Sequence, residues 1–328
     1  MSALARDRLF ISLLGILFFS IPLVIKNPYY LNVLNIVGLN VLVVAGLTLL
    51  IGYAGQISLG HGGFYAMGAY ISALLAINLG WSPWVTTLVA MAATGVTALL
   101  IGVPTLRLKG HYLVMATLGF NLIVYILLVQ LDDLTGGPSG LPGIPSYTIG
   151  SWSFNTDLRS YWLIWALTLG GLFLSFNLVH SRMGRALVAI RESEVAASCL
   201  GIETWKQKTQ VFVLSAVMAS LAGSLYAHYM TFISPKTFDI FYSIEVVAMV
   251  IIGGIGSLWG ALLGSAFLTP LPHLLHFFDE YKDIIYGAIF MGVLIFSPQG
   301  LVGGLVRLYQ KRKIMSQFKK VKEMKWNS

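Results

Sequence analysis

Long apolar runs separated by short polar or basic breaks dominate this sequence. A helix needs roughly 20 mainly apolar residues to cross a ~30 Å hydrocarbon core. Runs of about that size occupy 9–25, 31–51, 62–79, 84–103, 112–131, 161–179 and 209–231. A longer run, 243–276, is interrupted by glycines, and a last one covers 284–302. No small-residue cleavage site follows the first run, and Pro22, Lys26 and Pro28 mark the end of a span. It therefore reads as a retained anchor rather than a secretory signal. The pattern predicts an all-α integral membrane protein.

Basic residues orient the spans, because Lys and Arg collect on the cytoplasmic side. With a cytoplasmic N-terminus, Arg6 and Arg8 are inside, as are Arg107 and Lys109 after the fourth run. So are Arg182, Arg185, Arg191, Lys206 and Lys208 after the sixth, and the eight basic residues from Arg307 to Lys325. This arrangement leaves only Lys26, Arg159, Lys236 and Lys282 outside, together with Asp132, Asp133, Asp157, Asp239, Asp279, Glu280 and Asp283. An inside tail requires an even number of crossings, so 243–276 is expected to cross twice, as two short pieces broken near Gly253–Gly256. The expectation is about ten transmembrane helices, some short or discontinuous, with both termini cytoplasmic. Residues 1–306 form the membrane domain and 307–328 a basic cytoplasmic tail.

Composition sharpens this picture. Charged residues make up 10% of the 328 residues and hydrophobic ones 57%, with a mean hydropathy of +0.79. A soluble domain carries roughly 25% charged residues, so most of this exterior faces lipid. The net charge of +8 is an orientation signal and not a nucleic-acid groove, since it is concentrated in two inside segments. One cysteine, Cys199, excludes an internal disulfide framework.

The 34 glycines cluster. One cluster carries Gly52, Gly55, Gln56, Ser58, Gly60 and His61, and the other Gly253, Gly254 and Gly256. Non-helical backbone at membrane depth survives only where protein buries it or it lines a watery cavity, and glycine-broken spans point to a transporter's pathway. These nine residues are the candidate pathway or hinge positions. Gly256, Gly260 and Gly264, like Ala219, Gly223 and Ala227, recur every four residues, the spacing that lets helices approach closely. Packing is the expected role of those ridges.

Few groups offer chemistry. Glu245 is the one acid expected within a span, near its outer end, and charge at depth is costly enough to make it a functional candidate. Pairing with Lys236 is the structural alternative. His273 and His276 share an i, i+3 spacing, but no cysteine or second histidine pair completes a metal shell, and no metal site is expected. The sequence contains no Gly-Lys dipeptide, hence no Walker A loop, so the chain is not expected to hydrolyse nucleotide or to bind a cofactor.

The inside connection 180–208 has order. Residues 185–200 lack Pro and Gly and are rich in Ala and Leu, predicting a helix that Gly201 ends. Arg191 and Glu194 are spaced to pair across one turn, and Leu187 and Ile190 give an apolar edge. Acidic Glu192 and Glu194 favour a protein partner over anionic lipid.

This segment resembles the loop through which permeases of ATP-binding-cassette importers contact their ATPases, and more narrowly the branched-chain amino acid permeases of LivM type. The matching elements are Arg182, Gly184-Arg185-Ala186, Ala189 to Glu192, Ala196-Ala197 and Leu200-Gly201-Ile202. Others are Gly52 to His61, Arg107 to Gly110, Thr135 to Pro145, Gly253 to Gly260 and Ser297 to Leu301. The resemblance implies one half of a membrane pathway for leucine, isoleucine and valine in a bacterial or archaeal cytoplasmic membrane. It implies a related permease as heterodimer partner, two cytoplasmic ATPases that bind the ATP and Mg, and an external protein that delivers the substrate. Arg182, Gly184, Arg185, Ala189, Arg191, Glu192, Ala196, Ala197, Leu200 and Gly201 are then the ATPase-coupling positions. The outer loop 132–160, with Tyr147 and Trp152, is a candidate contact for the delivering protein. Two alternatives stay open: the same importer family carrying urea, amides or another small metabolite, and a stand-alone secondary transporter or channel.

Overall fold

The computed structural model describes residues 27–274 except 109 and 151, together with 15, 18–22 and scattered positions between 284 and 300. Most of the expected spans 9–25 and 284–302, the tail 307–328, Arg6, Arg8, Lys109, His276 and the side chain of His273 lie outside the described residues.

Within the described residues the chain is helical, with four two-residue strands on one side. Helix α1 spans Pro28–Thr48 and opens into a wide π-turn at Leu49–Tyr53. Asn27 caps it by accepting from the Tyr29 amide at 3.0 Å, and Pro28 occupies the first turn, where a missing N–H costs nothing. Helix α2 (His61–Leu79) ends at Gly80, whose φ of 64° suits glycine. Helix α3 (Pro83–Thr105), α4 (His111–Gln130) and the single turn α5 (Asp132–Thr135) follow. Helix α6 (Asp157–His180) leads into the short helices α7 (Arg182–Glu192) and α8 (Glu194–Cys199). Then come α9 (Thr204–Met230), α10 (Ile240–Gly253), α11 (Leu258–Leu268) and the single turn α12 (Leu271–Leu274).

Six of these helices, counting α1 with its π-turn, are long and apolar enough to cross a membrane. Their starts and ends follow the expected runs closely. Burial ranks them: 89% of the most apolar window of α1 is buried, against 28% for α4. Helix α1 is therefore central and α4 the most exposed of the six among the described residues. Helices α9 and α2 cross closely because Gly68 lies against the Ser220 backbone and Gly223 against the Tyr65 carbonyl, leaving no room for a side chain. Ser224 adds a hydrogen bond to the Gly68 carbonyl at 2.9 Å, and Thr94 donates to Ser220 at 3.0 Å.

The run 243–276 is broken where expected. Helices α10 and α11 are bent by 119° about Gly254–Ser257. At roughly 1.5 Å per residue the 14-residue and 11-residue arms measure about 21 and 17 Å, less than a full ~30 Å crossing. Gly260 lies against Gly253–Gly254 and Gly264 against the Met249 carbonyl, so the glycine ridge joins the two arms face to face.

The segment between α4 and α6 is an ordered platform. Strand β1 (Leu141–Pro142) pairs antiparallel with β4 (Phe232–Ile233), and β2 (Thr148–Ile149) with β3 (Trp152–Ser153). Tyr147 is buried, bonded to Thr87 at 2.7 Å, while Trp152 is exposed with the Arg159 guanidinium 5.5 Å from its ring centroid. Of the two aromatics expected to meet a delivering protein, only Trp152 is on the surface. Tyr147 turns inward because its hydroxyl finds a partner on α3. His228 anchors the same platform to α9, bonding the Pro145 carbonyl at 2.6 Å and Ser72 at 2.6 Å.

Candidate functional site

At the end of the molecule where α1 finishes, the loop 180–208 lies across both glycine clusters. Helix α7 starts because Ser181 caps it, its hydroxyl accepting from the amides of Met183 and Gly184. Gly184 is buried against the Val179 carbonyl, so the tight corner between α6 and α7 excludes a side chain there. Arg185 closes the corner by donating to the His180 carbonyl at 3.2 Å. Leu187 and Ile190 form the buried edge read from the sequence.

The single helix expected over 185–200 is two helices. Ser193 is extended, with φ −159° and ψ 110°, and its hydroxyl caps α8 through the Ala196 amide at 3.3 Å. A serine that satisfies free amides at a helix start competes with continuing the helix. The break removes the one-turn geometry on which an Arg191–Glu194 pair depended. Glu194 pairs with Lys208 at 2.8 Å instead, and Arg191 turns to the end of α1. Gly201 ends this segment as expected, with φ 81°.

Arg191 is the junction of the site. Its Nη1 donates to the Gly52 carbonyl at 2.5 Å. Its side-chain stem lies along Gly55, and Nη1 is also next to Gly256. Gly52 lies against the Gly256 backbone, which leaves no room for a side chain there, and Gly256 holds a φ of 91° that suits glycine. The π-turn leaves carbonyls pointing off the helix axis, and an arginine satisfies one of them. Three features far apart in sequence thus meet at one side chain. Beside them a cleft of about 430 Å3 is walled by Gly55, Gln56, Arg191, Glu192 and Lys208, with His111 opposite.

The remaining candidates sit elsewhere. Ser58 accepts from the Gly60 amide and shapes the turn before α2. Gly60 faces Thr117, and His61 is buried with Nε2 bonded to Ser215 at 3.2 Å. These three hold α2 against α4 and α9. Gly253 and Gly254 form the bend of α10 and α11. Arg182, Ala196, Leu200 and Gly201 are exposed, Ala189 is half-buried and Ala197 buried. Leu200 is 79% exposed and Val195 70%, with Trp205 also open, an apolar surface on an otherwise polar loop.

Sequence reasoning missed the polar ties at the far ends of the two arms. Tyr242 donates to Asn40 Oδ1 at 3.1 Å, and Asn40 Nδ2 donates to Thr269 at 2.9 Å. Ser243 accepts from the Gly62 amide at 2.9 Å and from Asn121 Nδ2 at 3.1 Å. The one available signal was an asparagine within an apolar run. Asn40 lies about midway along α1 with its π-turn, and Glu245 is half-buried in the first half of α10, one turn beyond Tyr242.

Comparison with known proteins places these features in a family. The model described as branched-chain amino acid transport system / permease component matches residues 29–294. The high-affinity branched-chain amino acid transport system permease protein LivM of Salmonella typhimurium is 34% identical over 263 residues, 73% of this chain and 62% of that protein. LivH of Escherichia coli, named as a permease of the same system, is 29% identical over 261 residues, 73% of this chain and 83% of that protein. LsrC of Klebsiella pneumoniae, named as an autoinducer 2 import system permease, is 31% identical over 142 residues, 41% of this chain and 40% of that protein. The chain thus spans slightly less than two thirds of the LivM protein it matches. No solved structure matches.

Proposed function

The chain belongs to the branched-chain amino acid transport permease family, and from that premise we propose that it is a membrane subunit of an ATP-driven importer for leucine, isoleucine and valine. It works in a bacterial cytoplasmic membrane beside a related permease, with two ATPases on the coupling loop and an external protein delivering substrate. ATP and Mg belong to the partner ATPases. The names of LivM and LivH support the cargo. That of LsrC supports a second cargo class, a small non-amino-acid metabolite, on the same scaffold. The topology proposed is ten crossings with both termini inside. The bend of α10 and α11 lies at the coupling-loop end, which suits two short crossings that descend to the inner face and return.

The observation that carries the proposal is the Arg191 hydrogen bond to the Gly52 carbonyl. The exposed Val195, Leu200 and Trp205 offer apolar area to an ATPase groove. Behind that surface, Arg191 ties the loop to the broken backbone of α1 and to the α10–α11 bend. Closure of the ATPases moves the loop as a unit, and the junction passes that displacement to both glycine breaks. Rigid elements with breaks between them move as hinged bodies, and the differential contacts of the two states set the coupling.

The test is to purify the chain with its co-purifying partners, reconstitute vesicles and measure ATP-dependent leucine uptake with and without the external binding protein. Uptake that needs both supports the reading. Uptake by this chain without any ATPase subunit overturns it.

A further inference from the structure

The cleft beside Arg191, about 430 Å3 in volume, is walled by polar groups that the fold leaves unused. Gln56 lies in its wall and is only 6% exposed, yet its side-chain Oε1 has no hydrogen-bond partner. Its backbone is fixed, since the Gln56 amide donates to the Leu50 carbonyl at 3.0 Å. A buried amide oxygen left unpaired is costly, and in a native fold it marks a place that something else completes. Across the cleft, the 20-residue helix α4 starts after Gly110, which has no side chain to cap it. The first amides of a helix have no partner within it and carry the positive end of its dipole. Arg191 spends Nη1 on the Gly52 carbonyl, and its side chain is otherwise exposed, as is that of Glu192 beside it. Lys208, buried in the same wall, is neutralised by Glu194 at 2.8 Å.

These groups match the two ends of a zwitterion. Arg191 and the start of α4 offer a guanidinium fork and free amides to a carboxylate. The Glu192 carboxylate and the Gln56 amide oxygen accept from an ammonium group. Ile57, Leu113 and Val114 add apolar wall for a short aliphatic side chain, and the volume lies within the range of small-molecule sites. We propose that this cleft binds a free aliphatic α-amino acid on the side where the importer releases it, and that its occupancy slows further transport. The side and the amino acid identity rest on the importer reading above, to which the cleft adds a site for the product. The ligand bridges α7 at Arg191 and Glu192, the chain after the π-turn at Gln56, and the start of α4. It therefore binds best to the arrangement that brings these three elements together, and by that difference it opposes displacement of the loop.

The experiment uses the complete importer in proteoliposomes, with ATP inside and the loaded external binding protein outside. Vesicles are preloaded with buffer, leucine, 4-methylpentanoate (carboxylate without ammonium) or isopentylamine (ammonium without carboxylate). Initial leucine uptake and ATP hydrolysis are then measured together. Lumenal leucine is expected to lower both rates about fivefold or more, whereas back-exchange of label lowers net uptake alone. Each analogue is expected to need a roughly tenfold higher concentration, because one charged partner is lost. Val114→Phe fills the cleft and Gln56→Met removes the amide. Each is expected to need about tenfold more lumenal leucine for the same inhibition, every rate being compared with that variant's own rate in buffer-loaded vesicles. If Gln56→Met fails to assemble, Val114→Phe and the two analogues decide. Undiminished hydrolysis in leucine-loaded wild-type vesicles, or equal inhibition in both variants, overturns the site. ATP-driven uptake into buffer-loaded vesicles tests the importer reading separately. If that uptake is absent the importer reading falls, and binding of labelled leucine to the complex in nanodiscs decides the site. Binding lost in Gln56→Met then keeps it, and unchanged binding overturns it.

Discussion

Arg191 and Gly52 are 139 residues apart in the chain, and the Arg191 guanidinium donates a 2.5 Å hydrogen bond to the Gly52 carbonyl. The bond satisfies a carbonyl freed by the π-turn and fixes the coupling loop to the central helix at the point where that helix ends. On the proposed mechanism this bond transmits displacement, and its loss weakens that transmission while both elements stay folded.

Replacing Arg191 with Met keeps the stem along Gly55 and removes the charged donor. The expected outcome is an importer that assembles and hydrolyses ATP but transports about tenfold less leucine per ATP, the loss of a charge-assisted hydrogen bond at ~1.5 kcal/mol. Arg191→Lys is expected to recover only part, because a point charge does not reproduce the planar fork. Uptake and hydrolysis measured on the same vesicles check this, and equal loss of both argues for a docking role instead.

Leu200→Ala combined with Gly201→Ala removes exposed apolar area and the left-handed position that ends the loop. Membrane insertion is expected to be unchanged, and ATPase retention to fall by at least tenfold, from ~1.5–3 kcal/mol of lost burial. Affinity purification followed by quantification of the ATPase chains measures it. Normal co-purification removes the loop surface from the docking interface.

Gly60 and His61 face helices and not the cleft. A bulky residue such as Gly60→Leu, whose first carbon already meets the Thr117 carbonyl at 3.1 Å, is expected to destabilise the chain by about 2 kcal/mol through overpacking. Gly119→Leu serves as the control, since nothing lies within 4 Å of its added carbon. Thermal unfolding in detergent separates the two. A Gly60→Leu protein as stable as the control but deficient in uptake returns these residues to the pathway.

Burial raises the Tyr147 phenol above its ordinary value, with the Thr87 hydrogen bond opposing it in part. The folded state therefore holds the proton more tightly than the unfolded chain. The stabilisation is complete below the unfolded value of about 10 and is lost as pH rises above it. Wild-type thermal stability is expected to decline above about pH 10 more steeply than that of Tyr147→Phe. Parallel declines for the two proteins count against the buried phenol as the cause.

Much of the fold was legible because hydropathy and charge are local properties. The run 31–51 became a helix to Thr48 with its π-turn, and the glycines of 243–276 broke the chain where they stand. Gly201 ended the coupling loop because its backbone conformation is a local demand. Ser193 was harder to see, since its choice between continuing and capping a helix depends on which amides are left free around it. Tyr147 was misread because an aromatic in a loop looks the same whether its partner is another protein or Thr87.

By itself the sequence determined that this chain lives in lipid and where its long helices lie. Each follows from the free energy of placing a side chain in hydrocarbon or water, which needs only neighbours in sequence. Tertiary structure decided the rest. It took Arg191 from Glu194 to Gly52, and drew Asn40 between Tyr242 and Thr269. A polar group in a low-dielectric interior is held by whichever partner satisfies it, and that partner is chosen by helix packing and not by spacing along the chain.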